Sequence, residues 1–446
     1  MHKSNLLTRR SFVVLAASLV PAYKLGSLSS FGLTRNQPAI TYICPPCGLN
    51  CDTREFDKPG TCPVCGMTLI DKQEIKPGQQ VSIEKFMEFY KIPGLSLAII
   101  DNFKIAATKT YGVTEAGGNT PVTARTLFQA GSVSKPVATL GALHLVERGK
   151  LLLDEDVNRK LKSWILPENE FTKEQKVTLR RIMSHSAGTT LHGFPGYAVG
   201  SPVPTLVQVL NGEKPANNAP VRVDIVPGTK WRYSGGGVLI EQQLMIDVTG
   251  RSFPELMHKI VFDKLGMNDS TFEQPLPVLR ASSAASGNTW NGKVVPGKWH
   301  IYPEMAAAGL WTTPTDLASF AIEVALSKQG KSNRVLSQNM TREMLKPQMP
   351  RVEEIALGNM EHRDRMGLGF FLGDETRPDL FGHIGDDEGF QAMLMMYGDS
   401  GQGAVIMGNS PSVIRLGDTI LDRVAGEYGW KEYVSSHRPH ASNLPS

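Results

Sequence analysis

Apolar and polar positions divide this chain into stretches of different character. Phe12 to about Val20 is an apolar stretch behind Thr8-Arg9-Arg10-Ser11, and is too short to cross a bilayer as a mature helix. Polar, cysteine-bearing sequence follows, and then Asp71-Lys72-Gln73-Glu74-Ile75-Lys76-Pro77-Gly78-Gln79-Gln80, a polar run with Pro-Gly that reads as a linker over 71–80. Beyond it Leu95–Ile100 and Phe103–Thr110 are strand-like about Asp101-Asn102, a pattern that predicts a β-hairpin after an opening helix. From Ser134 to about Leu153, Val137, Leu140, Leu143 and Leu145 recur at helical spacing and predict a buried central helix.

Later helices are announced by their starts. Ser252-x-x-Glu255 has the form of a capping box, and Thr313-Pro314-Thr315-Asp316 combines N-cap, first-turn proline and first-turn acid. Gln391–Tyr397 and Ala404–Gly408 flank the Gly398–Gly403 turn, and a helical pattern then runs from Val413 to Tyr428. Strands at both ends with helices between predict an α/β fold of the α+β type. Its sheet is mixed, largely antiparallel and built from both ends of the main body, flanked by helices around a mainly helical inserted region. The expected division is a leader over 1–29, a cysteine module over 40–70, the linker, a main body over 81–430 and a loose tail over 431–446.

Composition changes little of this: 41% hydrophobic and 20% charged residues are ordinary for a globular protein. The net charge of +4 is that of the leader, which holds Lys3, Arg9, Arg10 and Lys24 and no acid. No basic stripe interleaved with aromatics follows, so no nucleic-acid partner is expected. The leader resembles a twin-arginine export signal, which implies the twin-arginine export machinery as a partner and a periplasmic or otherwise exported destination. An ordinary secretory n-region is the alternative. Ser27-Leu28-Ser29 is a weak cleavage match, so membrane attachment is expected only if the leader is retained as an anchor.

All five cysteines lie within residues 44–65. Cys44-Pro-Pro-Cys47-Gly48 and Cys62-Pro-Val-Cys65-Gly66 are two tight turns, each able to point two thiolates at one tetrahedral metal. Cys44, Cys47, Cys62 and Cys65 are the expected ligands, and Cys51 is a spare ligand or simply buried. A disulfide framework is the alternative. The segment resembles rubredoxin-like zinc ribbons, and its second half is similar to heavy-metal-binding modules of efflux proteins, from which Pro46-Cys47 departs where Met-His is expected. Structural zinc is the expected occupant, with iron second, and no cofactor is expected for catalysis.

Gly131-Ser132-Val133-Ser134-Lys135 opens the central helix. Positions i and i+3 share a helix face, so Ser132 and Lys135 can meet, and a serine hydroxyl needs such a base, or a lysine whose pKa is lowered by burial and neighbouring positive charge. A Ser-x-x-Lys match alone is cheap. It is joined here by Pro227-Gly228-x4-Tyr233-Ser234-Gly235, by Gly382-His383-Ile384-Gly385 ahead of a strand, and by Leu127–Gly131, Met183–Gly188 and Ala308–Thr313.

In that order these motifs resemble the serine β-lactamase and penicillin-binding-protein superfamily, specifically its class C-like branch, over roughly Val81 to Trp430. The resemblance implies Ser132 as the acylated nucleophile, Lys135 as its proton partner and Tyr233 as the acid or base serving the leaving group, with a Lys135 cation favouring a tyrosinate. It puts His383 in the place of the Lys-Thr-Gly lysine, and the Ser132 and Asp386 backbone N–H groups at the oxyanion. Gly385 belongs to the same motif, and Gly235 stands where a substrate-binding asparagine is usual. Loss of that amide and of a fixed cation weakens a β-lactam reading. The implied substrate is a small-molecule or peptide amide or ester. The alternative is a non-catalytic, penicillin-binding-like ligand-binding or sensing protein with a structural metal module.

Some single residues have competing readings. Ser186 in Ser184-His185-Ser186-Ala187-Gly188 faintly resembles a nucleophile elbow, although a helical pattern precedes it where a strand is needed. His185 and His192 are read first as loop histidines satisfied by backbone and second as lining the cleft. Trp231 and Trp311 are candidate pocket walls, and Met393-Leu394-Met395-Met396 is read as core.

Overall fold

The computed structural model describes residues 40–46, 50–64, 67–75, 81–349 and 365–433. The leader, Cys47, Cys65, linker residues 76–80 and the tail from 434 lie outside the described residues.

Among the described residues the main sheet has seven strands. In spatial order they are Arg365–Met366, Phe371–Leu372, Leu380–Asp387, Phe390–Tyr397, Gln402–Gly408, Gly94–Asp101 and Lys104–Gly112. Every pairing in it is antiparallel. The C-terminal strand Gln402–Gly408 pairs with Gly94–Asp101, so the two ends of the catalytic region close one sheet around the helical insertion.

Side-chain alternation assigns each face of the sheet its own core. Leu95, Leu97 and Ile99 pack with Phe86, Met87, Leu416 and Ile420, from the helices Ile83–Tyr90 and Val413–Tyr428. Ala98, Ile100, Leu394 and Met396 face the opposite way, into the larger core that holds helices Ser134–Glu147 and Pro314–Lys328. Both outer helices are amphipathic and carry polar residues on their free side. Ser134–Glu147 is buried from Ser134 to Leu145 and shows little polar face, because sheet-side and insertion-side elements enclose it. No helix among the described residues is long and apolar enough to cross a membrane.

Helix starts show how far local signals carry. Thr313 caps its helix, its hydroxyl accepting from the Asp316 N–H at 3.2 Å, with Pro314 at the first position. Ser252 precedes a helix as expected, yet its side chain makes no capping bond, so the capping box there is not formed.

The cysteine module carries three short strands, Tyr42–Ile43, Glu55–Phe56 and Ile70–Asp71, with Tyr42–Ile43 in the middle. Asp71 then caps a turn over Lys72–Glu74, so ordered structure reaches into the stretch read as the start of the linker. Leu69, Ile70 and Met67 join the apolar cluster of Phe86, Phe89 and Tyr90, and Lys85 pairs with Glu74 at 2.8 Å.

Candidate active site

The nucleophile's position follows from two backbones in contact. Residues Gly131–Val133 form a 3-10 turn leading into helix Ser134–Glu147, held from below by Ala130 N–H to Leu310 O at 2.9 Å and Leu310 N–H to the Ser134 hydroxyl at 3.0 Å. Gly131 has φ +50, and a Cβ there would lie 2.5 Å from Asp386 N. A Cβ on Gly385 would lie 1.9 Å from Ala130 O and 2.9 Å from Ser132 N. Only glycines allow this approach, which packs the backbone at Ser132 against the backbone at Asp386, as an oxyanion pocket built from their two N–H groups would require.

Lys135 Nζ lies 2.7 Å from Ser132 Oγ and donates to Ala307 O at 2.8 Å. The side chain is 3% exposed. Burial lowers its pKa to about 7, against an upward pull from Asp387 and Glu241. The neighbours are therefore acids, not the positive charge the sequence suggested, and desolvation does the lowering. Tyr233 packs its ring 5.0 Å from the Lys135 ammonium, is buried, and is held well above the ordinary phenol pKa by that burial, the Ser132 hydrogen bond opposing it. The same dry pocket disfavours both charges, so near neutrality Lys135 divides between ammonium and free amine while Tyr233 stays a neutral phenol rather than a tyrosinate.

Aromatic rings fix Tyr233. Phe371 stacks on it at 6.3 Å, His185 lies at 4.3 Å and His192 at 4.8 Å. His185 is buried, its Nδ1 accepts from the Ser234 N–H at 3.2 Å, and burial pushes its pKa well down, so it supports the tyrosine as a neutral ring. His192 lines the catalytic cavity, together with Gly193 and Phe194. His383 also lines it, but is wholly buried in its strand with its ring 4.9 Å from Phe371 and 6.2 Å from Tyr233.

Gly235 does not line the cavity. Its N–H donates to His192 O at 3.0 Å, and a Cβ there would lie 2.9 Å from the Phe194 ring. The 192–194 segment thus occupies the space an asparagine side chain would need, and it is this segment, not residue 235, that lines the cavity.

Ser186 is buried with its hydroxyl 3.0 Å from Ser184 Oγ, following a short helix, and is no nucleophile elbow. Trp231 packs near Tyr233 and Phe371, while Trp311 is buried against Trp299 and Phe390. Sequence reasoning passed over Glu241 and Asp387. Glu241 sits on helix Gly235–Thr249, wholly buried, its pKa raised to about 8 by burial with Thr139 and Lys135 acting against that. Its only signal was an acid, followed by two glutamines, between Val238–Ile240 and Leu244–Ile246.

In the module, the Cys44, Cys51 and Cys62 sulfurs lie within 4.8 Å of one another, all buried. Tetrahedral zinc with bonds of about 2.3 Å sets sulfurs about 3.8 Å apart, so this soft donor set fits one metal ion. Cys51, which the spacing left as a spare, stands in the cluster, because the turn after Asn50 folds it back beside Cys44; Cys47 and Cys65 lie outside the described residues.

The profile of the family described as Beta-lactamase matches residues 82–427, and that of the heavy metal binding domain matches residues 41–72. A beta-lactamase of Pseudomonas fluorescens is 28% identical over 242 residues, 54% of this chain and 62% of that protein. Esterase EstB of Burkholderia gladioli is 26% identical over 200 residues, 42% of this chain and 49% of that protein. The chain spans about half the length of the curated relatives it matches. Among solved structures, the octameric penicillin-binding protein homologue from Pyrococcus abyssi aligns with a TM-score of 0.60 at 21% identity, covering 76% of each chain, a likeness of fold alone.

Proposed function

Because the chain belongs to the Beta-lactamase family, we propose that it is a serine hydrolase that cleaves an amide or ester bond through an acyl-enzyme on Ser132. The observation that carries this reading is the buried Lys135 amine 2.7 Å from the Ser132 hydroxyl, with its pKa lowered to about 7. At neutral pH a large share of the amine is unprotonated and can take the hydroxyl proton as Ser132 attacks the scissile carbonyl. The oxyanion forms between the Ser132 and Asp386 N–H groups, the Tyr233 phenol gives its proton to the departing oxygen or nitrogen, and the proton that Lys135 took from Ser132 returns to the phenolate. Water then repeats the cycle on the acyl group.

Cell-wall-type peptides and small esters fit this reading better than β-lactams. The fixed cation that would hold a β-lactam carboxylate is replaced by the buried His383, and the amide at 235 is absent. A fluorophosphonate probe tests the proposal: folded protein should take one adduct, on Ser132, and Ser132→Ala should take none. Unlabelled folded protein overturns it.

The cysteine module is proposed to hold structural zinc, with iron the competing occupant. Cys44, Cys51 and Cys62 would be ligands, and the ion would supply rigidity rather than chemistry. Export through the twin-arginine route is supported by Thr8-Arg9-Arg10-Ser11-Phe12. Replacing Arg9 and Arg10 by lysines should retain the protein inside the cell, and unchanged export would refute that route.

A further inference from the structure

Three cavities are linked through shared walls. The catalytic cavity, about 190 Å³, shares Phe194, Asp386 and Asp387 with an outer cavity of about 490 Å³. The outer cavity in turn shares Trp290 and Asn291 with a third, of about 420 Å³, whose wall includes Thr61 and Thr68 of the cysteine module. Trp290, common to the second and third, is 58% exposed and is the one exposed large aromatic side chain among the described residues.

That exposure belongs to a built turn. At its base Asn288 is wholly buried and donates to Ser286 O at 2.9 Å and Asn409 O at 2.8 Å. The Thr289 N–H donates to Lys293 O and the Gly292 N–H to Thr289 O, both at 2.8 Å, while Asn291 Oδ1 accepts from the Thr289 hydroxyl at 2.6 Å and the Lys293 N–H at 3.2 Å. The indole is therefore held out from an anchored hairpin at a cost in apolar hydration. The Arg415 guanidinium lies over its ring at 5.1 Å, but lines the third cavity and not the outer one.

The wall of the outer cavity suits neither of two common ligand classes. It holds no lysine, arginine or histidine to meet a phosphate or carboxylate, and no leucine, isoleucine, valine or methionine to meet a hydrocarbon chain. It offers aromatic surface, chiefly Trp290, beside the exposed side chains of Asn291, Asp386 and Glu388. A pyranose ring has the matching chemistry. Its C–H face packs on an aromatic face, and its equatorial hydroxyls are donors and acceptors that carboxyl and carboxamide groups meet in pairs.

We propose that the outer cavity is a carbohydrate subsite with Trp290 as its stacking platform, and that the ester or amide cleaved at Ser132 is carried on an oligosaccharide. Asp386 lines both the catalytic and the outer cavity, which sets the sugar beside the scissile carbonyl. The third cavity continues the path past Trp290, so the ligand is longer than one ring. The inference rests on the serine hydrolase reading.

The test titrates purified full-length protein with cellotriose, with triacetylchitotriose and with sorbitol, a polyol that has no ring face. Saturation-transfer NMR reads binding. At least one trisaccharide should bind, with its axial ring protons receiving the strongest transfer, and sorbitol should not. The bound sugar should also slow fluorophosphonate labelling of Ser132, because the two cavities adjoin. Trp290→Ala should weaken binding by roughly tenfold or more, and Trp290→Phe should restore part of it. Asn291→Ala should weaken binding by a smaller factor, and serves if the tryptophan variants do not fold. Failure of both trisaccharides to bind, equal binding of sorbitol, affinity unmoved by these substitutions, or binding that leaves the labelling rate unchanged would overturn the carbohydrate subsite. Absence of labelling in the sugar-free protein would instead bring down the hydrolase reading beneath it.

Discussion

Replacing Lys135 by methionine should separate catalysis from stability in a way that depends on pH. The side chain is 3% exposed, and its pKa falls from 10.5 to about 7 through burial. Holding an ammonium there costs roughly 4–5 kcal/mol relative to the unfolded chain, at about 1.4 kcal/mol per pKa unit. The folded-state pKa lies below the unfolded one, so between pH about 7 and 10.5 the unfolded chain binds the extra proton. Wild type then gains stability as pH rises, and the penalty is fully present only below pH 7. From pH 7 to pH 9 the gain amounts to roughly 2 kcal/mol. A methionine at 135 has no proton to bind, so the stability difference between the two proteins should move by that amount, in favour of wild type. Lost hydrogen bonds to Ser132 and Ala307 O shift the variant's stability by a constant and leave this slope untouched. Glu241, whose raised carboxyl loses stability as pH climbs from 4.5 through about 8, is present in both proteins and largely cancels. Urea unfolding of both proteins at pH 7 and pH 9 reads the difference, and fluorophosphonate labelling of wild type should rise with pH about a midpoint near 7. A stability difference that stays constant within about 0.5 kcal/mol, or moves the other way, refutes the claim that desolvation deprotonates Lys135.

Other outcomes follow from the same geometry. Tyr233→Phe should fold normally, since ring packing against Phe371 and His185 is kept, and lower kcat by roughly 10²–10⁴; near-wild-type turnover in a kinetic assay would remove the phenol from proton transfer. Gly385→Ala forces a Cβ to within 1.9 Å of Ala130 O, so Ser132 labelling and thermal stability should both fall sharply, and an unchanged melting temperature would contradict the close backbone contact. Cys51→Ser should lower bound metal, measured by elemental analysis of purified protein, from about one equivalent to a fraction of it. Full occupancy in that variant would make Cys51 a spare and leave the ligands to the four-cysteine set read from spacing.

Legibility in the sequence tracked the range of the forces involved. The strands over 94–101 and 390–408 were visible as short apolar runs bounded by turns, and Lys104–Gly112 as the second arm of the first hairpin, while helix Val413–Tyr428 showed because one of its faces stays wet. Helix Pro314–Lys328 was announced by its own cap. Helix Gly235–Thr249 left no such trace: it opens on three glycines and is buried on nearly every side, so it shows neither propensity nor an amphipathic stripe. Its glycines are required by contact, since a Cβ on Gly236 would lie 2.4 Å from Thr190 O.

The candidate site divides along the same line. Ser132 and Lys135 could be paired from the chain alone, because three residues on one helix turn fix their separation, and the cysteine turns were equally local. What decides the chemistry is not local. Only the folded protein sets Glu241 and Asp387 near Lys135, buries the amine until it gives up its proton near neutrality, and seats Phe194 where residue 235 would have offered an amide. Only the fold brings Cys51 to the other sulfurs and sets Trp290 between two cavities. The sequence determines which groups are present and which near neighbours can meet. Burial and the approach of distant backbones exist only in three dimensions, and they set the protonation states and the shape on which reactivity depends.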